Sequence, residues 1–271
     1  SEDRSGRNFH FGIREHAMGA ILNGMALTKG IIPYGATFLI FYDYMRPPVR
    51  LAAIMKIRPI FVYTHDSIGL GEDGTTHQPV EQLIGLRSVP NMMVIRPADA
   101  NETAQAWRVA LEHTGGPVAI ILTRQEVPVI DQERYTKAAV LEKGAYVLSD
   151  CEGEPQLILM GTGSEVQLLL EAQQQLVQES VRVRVVSFPS WELFDKQTDA
   201  YKEEVLPAHI RKRLAVEAGS PLGWSKYVTD DGGVIAVTQF GESAPGAEIM
   251  KAYGFSADNI TATAKALLQH K

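Results

Sequence analysis

The residues of this sequence that could carry chemistry concentrate in one segment, residues 64–79, which reads THDSIGLGEDGTTHQP. The segment follows the apolar run PIFVY, so we expect it to begin where a buried strand ends, a position at which catalytic groups of α/β proteins collect. His65 and His77 could transfer protons or donate hydrogen bonds near neutral pH. The segment therefore predicts a candidate site in which histidines act beside carboxylates.

The residues of this loop allow three other interpretations. Gly69 to Gly74 satisfies G-x-G-x-x-G, but Glu72 and Asp73 would place carboxylates where a pyrophosphate must lie, which argues against dinucleotide binding. The loop has no H-x-x-x-H or C-x-x-C spacing, which argues against a direct metal site. A solvated surface loop is the simplest alternative, although its glycines and histidines are denser than a connection needs.

Composition and charge limit the class of protein. The chain has 271 residues, of which 45% are hydrophobic, enough for one large or two medium domains. Its net charge is -6 and it has no run of Lys or Arg, so neither nucleic acid nor an anionic membrane is an expected partner. The single cysteine, Cys151, excludes an internal disulfide and favours a reducing compartment. Without a signal-peptide pattern or an apolar stretch of about 18 residues, we expect a cytoplasmic protein.

The first residues and the absence of a covalent nucleophile add two expectations. The sequence SEDRSGRNFHFGIREHAMGA enters a helix with no initiator methionine and no first strand, which favours a chain that begins inside a domain. Neither GTGSEV (161–166) nor GESAPG (241–246) reads G-x-S-x-G, and Cys151 lies in a polar turn. We therefore expect a cofactor to carry the difficult chemical step.

The elements that must position these residues alternate between strands and helices in the first half of the chain. Short apolar runs predict strands, and amphipathic runs of longer period predict helices. Strands are predicted at 59–63, 92–95 and 118–122, with helices at 15–29, 38–56, 80–86 and 102–113. We expect Pro47 and Pro48 to interrupt the second of these helices, because proline lacks the N–H donor.

The pattern restarts after a polar connection at 125–144. Strands are predicted at 156–160, 181–187, 213–217 and 234–238, with a helix at 165–178 and two closing helices. This alternation predicts an α/β protein of two domains, each a mostly parallel sheet flanked by helices. We expect the first domain to span 1–130 and the second 131–271.

Several motifs, in their order and spacing, resemble one family. FGIREHAM (11–18), ATFLIFYDYMR (36–46), the loop at 64–79 and ILTRQ (121–125) resemble the pyrimidine-binding domain of transketolase. Five later motifs resemble the C-terminal domain of the same family: TGSEV (162–166), VVSFPS (185–190), FDKQ (194–197), VEAG (216–219) and FGESAP (240–245). The resemblance covers essentially the whole chain. The histidine-rich loop separates it from the 2-oxo-acid dehydrogenase beta subunits and the deoxyxylulose-phosphate synthases.

The resemblance implies residues that bind thiamine diphosphate. Glu15 matches the catalytic glutamate that hydrogen-bonds N1′ of the cofactor's aminopyrimidine, where a buried carboxyl of raised pKa can donate to that nitrogen. Phe38, Phe41 and Tyr44 match the aromatic pocket around the same ring. Taken from the residues alone, Glu15 could instead be a first-turn helix acid, and Phe38 and Phe41 a helical core stripe.

The resemblance also implies a substrate site. His65 and Asp73 match residues that bind the hydroxyls and the phosphate end of a sugar, and His77 matches a catalytic histidine near the reacting carbonyl. Arg124 matches an arginine that binds the sugar phosphate. An interdomain salt bridge is the alternative role for Arg124.

The family site needs partners that this sequence does not contain. The resemblance implies that an N-terminal domain or subunit holds the diphosphate and its magnesium or calcium ion, and that the enzyme is a homodimer with each site between two subunits. With sugar phosphates as substrates, the complete enzyme would transfer a two-carbon ketol unit, while this chain alone would be inactive. The alternatives are a non-catalytic dimerisation or regulatory module of the same fold, and a dihydroxyacetone synthase.

Overall fold

Two β-sheets, one in each half of the chain, organise the fold. The computed structural model describes residues 6–269. Each sheet is mostly or wholly parallel and is flanked by helices, so the predicted α/β architecture of two domains is confirmed. Within the described part of the chain, no helix is both long and apolar enough to cross a membrane.

The first sheet has four parallel strands in the order β1-β2-β4-β3. The strands are β1 (Tyr34–Phe38), β2 (Ile60–Thr64), β3 (Met93–Ile95) and β4 (Val118–Ile121). The helices are α1 (Glu15–Leu27), α2 (Tyr42–Met55), α3 (Gln82–Arg87) and α4 (Ala100–Glu112). Strands β3 and β4 are buried along their whole length, because helices cover both faces of the sheet and leave no side for polar residues.

The second sheet has five strands in the order β5-β7-β6-β8-β9, with only β5 antiparallel to its neighbour. The strands are β5 (Tyr146–Ser149), β6 (Leu157–Gly161), β7 (Val183–Ser187), β8 (Arg213–Val216) and β9 (Gly233–Ile235). The helices are α5 (Glu165–Gln178), α6 (Trp191–Asp195), α7 (Asp199–Val205), α8 (Gly246–Ala252) and α9 (Ala257–Gln269).

The prediction of a helix over 38–56 was wrong about where the helix starts and about its interruption at the prolines. Phe38 ends strand β1, a single 3-10 turn follows at Leu39–Phe41, and α2 then runs unbroken through Pro47 and Pro48. The strand forms because β1 pairs with β2 along its whole length, and this pairing overrides the local helical pattern. The prolines are adjacent and lie in the second turn of α2, so they remove only two neighbouring hydrogen bonds from the helix.

Three elements of the second domain were missed. Strand β5 is an edge strand of only four residues, and α6 and α7 have five and seven residues. Segments this short do not complete enough periods for the hydrophobic pattern to distinguish them from loops. The element types and approximate positions of the other predicted strands and helices are confirmed.

Candidate active site

The site begins where two neighbouring parallel strands end. In the register of β1 with β2, Phe38 is opposite Thr64, so the residues that follow emerge at the same edge of the sheet. The ring of Phe38 stacks on the imidazole of His65 with a centroid distance of 3.5 Å and an interplanar angle of 18°. The pairing of the strands thus brings together an aromatic residue and a histidine that are distant in sequence.

An aromatic cluster surrounds this stack. Phe41 lies 5.9 Å from Phe38, 6.0 Å from Tyr44 and 5.8 Å from His77, measured between ring centroids. Phe38 and Phe41 are half-buried and Tyr44 is 65% exposed, so these rings have surface left for a ligand. Phe38 belongs to a strand and Phe41 to a 3-10 turn, and they therefore do not form a helical core stripe.

The backbone at His65 is held in an uncommon conformation. Its φ angle is 58°, in the left-handed region that few residues other than glycine adopt, although histidine is found there more often than most. Its Nδ1 atom lies 2.8 Å from the hydroxyl of Thr64, and the next residue, Asp66, is buried. A conformation of this kind persists only where the surrounding structure holds it, and it often occurs at functional sites.

The electrostatic surroundings of His65 favour its neutral form. Burial lowers the pKa of the imidazole, the positive charge of Arg124 lowers it further, and Asp73 and Asp66 act in the opposite direction without reversing the shift. His65 is therefore expected to be mostly neutral at pH 7, since an unperturbed histidine already titrates near pH 6.5. A neutral imidazole can donate one hydrogen bond and accept another, which suits binding of a hydroxyl.

Two substitutions are expected to shift the pKa of His65 in opposite directions. Arg124→Gln removes a repelling positive charge and should raise the pKa, whereas Asp73→Asn removes an attracting negative charge and should lower it further. A titration of the imidazole resonances by NMR measures both shifts in this chain. Arg134→Gln, at an exposed arginine whose guanidinium lies over Tyr135, should leave the His65 pKa unchanged. Shifts of the same sign from Arg124→Gln and Asp73→Asn would contradict the assignment.

Asp73 and Arg124 lie at a cavity between the two domains. Both side chains are exposed and both line a cleft of about 900 Å³, whose other wall includes Ser164 of the second domain and residues of α5 and α8. No ion pair among residues 6–269 involves Arg124, so its guanidinium is available to a ligand and does not form the interdomain salt bridge considered above. The lining of the cleft thus includes a donor suited to an anionic group, Arg124, and an acceptor suited to hydroxyl groups, Asp73.

Glu15 is not bonded to the cluster of aromatic and histidine side chains. It is the first residue of α1 and is half-buried, whereas the resemblance predicted a buried carboxyl. Among the described residues, no hydrogen bond or ion pair joins its carboxylate to Phe38, His65 or His77. Helix α1 packs on α2, where the side-chain amide of Asn23 donates to the carbonyl of Pro48 over 2.8 Å, so the position of Glu15 is fixed relative to the helix that carries Tyr44.

A buried ionic network between the domains was missed by sequence reasoning. The Nε of Arg96 donates to Asp66 over 2.8 Å, and its Nη1 donates to the hydroxyl of Thr162 over 2.8 Å and also to the carboxylate of Glu165. All four residues are buried. Burial raises the pKa of Glu165, and the positive charge of Arg96 counters only part of that shift.

A second buried pair extends the network. Arg87 forms two hydrogen bonds of 2.8 Å with Glu217, which also accepts from Thr162 over 2.6 Å and from the indole of Trp224 over 2.9 Å. Burial alone would raise the pKa of Glu217, but the charge and hydrogen bonds of Arg87, with further help from Arg96, outweigh it and lower the pKa. The guanidinium of Arg87 also lies 3.9 Å above the ring of Trp191.

The sequence did contain a signal for this network. Arg96 directly follows β3, Glu217 directly follows β8, and Glu165 opens α5, so each charged residue adjoins an apolar segment. A charged residue at such a position must be paired if it is buried, although the sequence does not identify the partner. Within residues 6–269, no three histidine, cysteine or acidic side chains converge in a way that could hold a metal ion.

Comparison with protein families gives two consecutive matches. Residues 1–129 match the model of the transketolase pyrimidine binding domain, and residues 144–256 match that of the transketolase-like C-terminal domain. The chain belongs to the transketolase family. Transketolase of Aquifex aeolicus is 56% identical over 256 residues, which are 94% of this chain and 37% of that protein. Transketolase of Bacillus subtilis is 54% identical over 98% of this chain and 40% of that protein.

Solved structures of transketolases have the same fold. The transketolase from Leishmania mexicana superposes with a TM-score of 0.91 at 44% identity, over 96% of this chain and 38% of that one. A split gene transketolase, described as an inactive beta4 tetramer, superposes with a TM-score of 0.77 at 25% identity, over 96% of this chain and 83% of that one. This chain thus spans about two fifths of the length of the curated transketolases it matches and corresponds to their C-terminal part.

Proposed function

We propose that this chain supplies the pyrimidine-binding and C-terminal domains of a transketolase. The complete enzyme would transfer a two-carbon ketol unit reversibly from a ketose phosphate to an aldose phosphate, as a cytoplasmic enzyme of the pentose phosphate pathway. The observation that carries the proposal is the stack of Phe38 on His65, with Phe41, Tyr44 and His77 around it, at the shared end of β1 and β2. This arrangement joins a site for a flat ring to a site for proton transfer.

The residues present suit the pyrimidine half of thiamine diphosphate. A flat heterocycle needs aromatic faces, and Phe38, Phe41 and Tyr44 have surface to offer. Glu15 carries a carboxyl that no described residue has engaged, so it could hydrogen-bond a ring nitrogen. When bound, the cofactor would supply the carbon nucleophile for which the chain has no residue of its own. The diphosphate and its magnesium or calcium ion would be held by an N-terminal domain.

The other site residues would bind the sugar and move protons. Arg124 presents a planar guanidinium at the interdomain cleft, and this fork of donors matches the oxygens of a phosphate. His65, in its neutral form, and Asp73 would bind the sugar hydroxyls. His77, at the edge of the Phe41 ring, would transfer a proton at the substrate oxygen during cleavage and formation of the carbon–carbon bond.

An exposed apolar surface next to the site supports a partner subunit. Helix α1, strand β1, helix α2 and the segments that precede α1 and β1 expose large hydrophobic side chains that a folded protein normally covers: Ile13, Ile21, Leu27, Ile31, Ile32, Tyr34, Leu51, Ile54 and Met55. Strand β1 is also an edge of its sheet, which leaves hydrogen-bonding groups free for another chain. We propose that this surface is buried by a second copy, in a homodimer, or by the N-terminal transketolase domain.

Calorimetric titration tests the proposal. Thiamine diphosphate with magnesium is titrated into this chain alone, and then into the chain mixed with an N-terminal transketolase half. We expect weak binding and no ketol transfer by the chain alone, because the charged diphosphate contributes much of the binding. Binding and turnover are expected in the mixture.

Three other outcomes would each change the conclusion. Tight binding by the chain alone would mean that its own residues hold the diphosphate. Persistent inactivity with a well-folded N-terminal half would favour a non-catalytic dimerisation or regulatory module. Preference for formaldehyde over an aldose phosphate as acceptor would identify a dihydroxyacetone synthase.

A further inference from the structure

We infer that the second domain positions both site histidines, and that it does so through the residue that follows each of them. His65 is followed by Asp66 and His77 by Gln78, and both followers are buried polar residues. Gln78 bonds the second domain directly, whereas Asp66 is linked to it through Arg96. The inference rests on the proposed function for the roles of the histidines. The contacts that carry it are independent of that proposal.

Asp66 is held through Arg96. The carboxylate of Asp66 accepts from Arg96 with one oxygen at 2.8 Å, while its other oxygen has no hydrogen-bond partner among the described residues. Arg96 is in turn bonded to Thr162 and Glu165, which both belong to the second domain. The chain of contacts therefore runs from the second domain to the residue beside the left-handed backbone of His65.

The contact at Arg96 is close-packed. Gly163 has a φ angle of 58°, and a Cβ atom at this position would come within 2.5 Å of the guanidinium carbon of Arg96. The backbone N–H of Gly163 also donates to the carbonyl of Arg96 over 3.2 Å. The guanidinium thus lies directly on the backbone of the turn between β6 and α5, so a movement of that turn would be transmitted to Arg96.

Gln78 makes the corresponding link beside His77. It is 2% exposed, and its Nε2 donates to the carbonyl of Gly71 in the site loop over 2.8 Å and to that of Glu242 in the second domain over 2.9 Å. A Cβ atom on Gly241 would come within 1.9 Å of the Gln78 Oε1. One buried amide, near the end of the site loop, therefore joins the middle of that loop to the second domain.

The segment 241–246, which leads into α8, runs beside residues 69–78 of the site loop. The hydroxyl of Thr75 donates to the carbonyl of Gly241 over 2.9 Å, and that of Ser243 donates to the carbonyl of Glu72 over 2.6 Å. A Cβ atom on Gly246 would come within 2.4 Å of the carbonyl oxygen of Gly69. The loop that carries Asp73 and His77 thus packs directly against the backbone of the second domain.

These contacts make Gln78, Thr75 and Ser243 positioning residues. None of them has a role in binding or proton transfer in the proposed mechanism, but each fixes the loop that bears the histidines. A displacement of a catalytic group by about 1 Å can reduce a rate about 100-fold. The second domain would therefore contribute to catalysis by holding the loop that bears the histidines in position.

Two measurements on matched variants test the inference. Gln78→Met preserves volume and removes the amide bonds, while Thr75→Val and Ser243→Ala each remove one hydroxyl contact between the domains. Gln173→Met is the control for a buried amide, since the Gln173 Nε2 donates to the carbonyl of Val183 over 2.9 Å within the second domain. Ser88→Ala is the control for a hydroxyl, since Ser88 donates to the carbonyl of Gly85 within the first domain.

The first measurement uses the chain alone. Imidazole resonances of His65 and His77, and hydrogen exchange of the peptide 64–79, report the state of the loop without requiring activity. We expect Gln78→Met to shift the His77 resonances and to speed exchange in this peptide by about 10-fold or more, because a lost hydrogen bond allows local opening. The two controls should leave both readouts unchanged.

The second measurement uses the chain with the N-terminal half. We expect Gln78→Met to lower kcat about 10- to 100-fold with little change in KM, and Thr75→Val and Ser243→Ala to act in the same direction with smaller effects. If Gln78→Met does not fold, the two hydroxyl variants decide. Unchanged resonances, exchange and kcat in folded variants would overturn the inference. Absence of turnover in the unsubstituted mixture would refute the proposed function instead, and the measurements on the chain alone would still decide the positioning role.

Discussion

Replacing Glu15 by glutamine is expected to lower kcat of the reconstituted ketol transfer by about 10²- to 10⁴-fold, the usual contribution of a general acid or base. The amide retains the size of the side chain but cannot hold a transferable proton at the ring nitrogen. Glu15 opens α1 and is half-buried, and its carboxylate has no hydrogen-bond or ion-pair partner among residues 6–269, so the substitution disturbs no described contact. Steady-state kinetics with the N-terminal half and saturating cofactor measure the effect.

Glu248→Gln is the matched control for this substitution. Glu248 is also a first-turn acid, in α8, and it is exposed and lies outside the proposed site. Its replacement should change kcat less than about 2-fold, since a first-turn acid contributes only about 0.3–1 kcal/mol to its helix. If Glu15→Gln behaves like Glu248→Gln, Glu15 is a helix-stabilising acid and the proton-transfer role is wrong.

Replacing Arg96 by methionine is expected to lower the free energy of unfolding by about 3–5 kcal/mol, because removing one partner of a buried ion pair leaves uncompensated charge. Asp66 and Glu165 would both lose the guanidinium that satisfies them, and both are buried. Loss of the Arg96 guanidinium should also weaken the interface between the domains. Urea denaturation of the chain, followed by circular dichroism, measures the change.

Arg108→Met provides the comparison. Arg108 pairs with Glu112 and Glu142 at the surface, with side chains that are 39%, 63% and 48% exposed. Exposed pairs of this kind contribute little to stability because water and salt screen them, so the same chemical change should have little effect there. A loss below about 1 kcal/mol for Arg96→Met would show that the interdomain network is not a main source of stability.

Much of the architecture follows from the sequence alone. The apolar runs that became β2, β3 and β4, and the 3.6-residue periodicity of α4 and α5, fix the element types, because burial on both faces or on one face leaves a distinct pattern. The position of the histidine-rich segment after β2 was also evident, since a polar run must leave the core where a buried strand ends. The motifs themselves identified the family.

Other features depend on contacts between residues that are distant in sequence. The segment 36–46 contains aromatic residues at helical spacing, yet hydrogen bonding to β2 makes its first part a strand and places Phe38 on His65. The partners of Arg96 come from residue 66 on one side and from residues 162 and 165 on the other. No local pattern encodes which charge meets which. The sequence by itself therefore determined most of the elements, the site loop and the family. The tertiary structure decided how the rings stack and how the second domain supports the site, because these features depend on which strand ends and turns become neighbours in the folded chain.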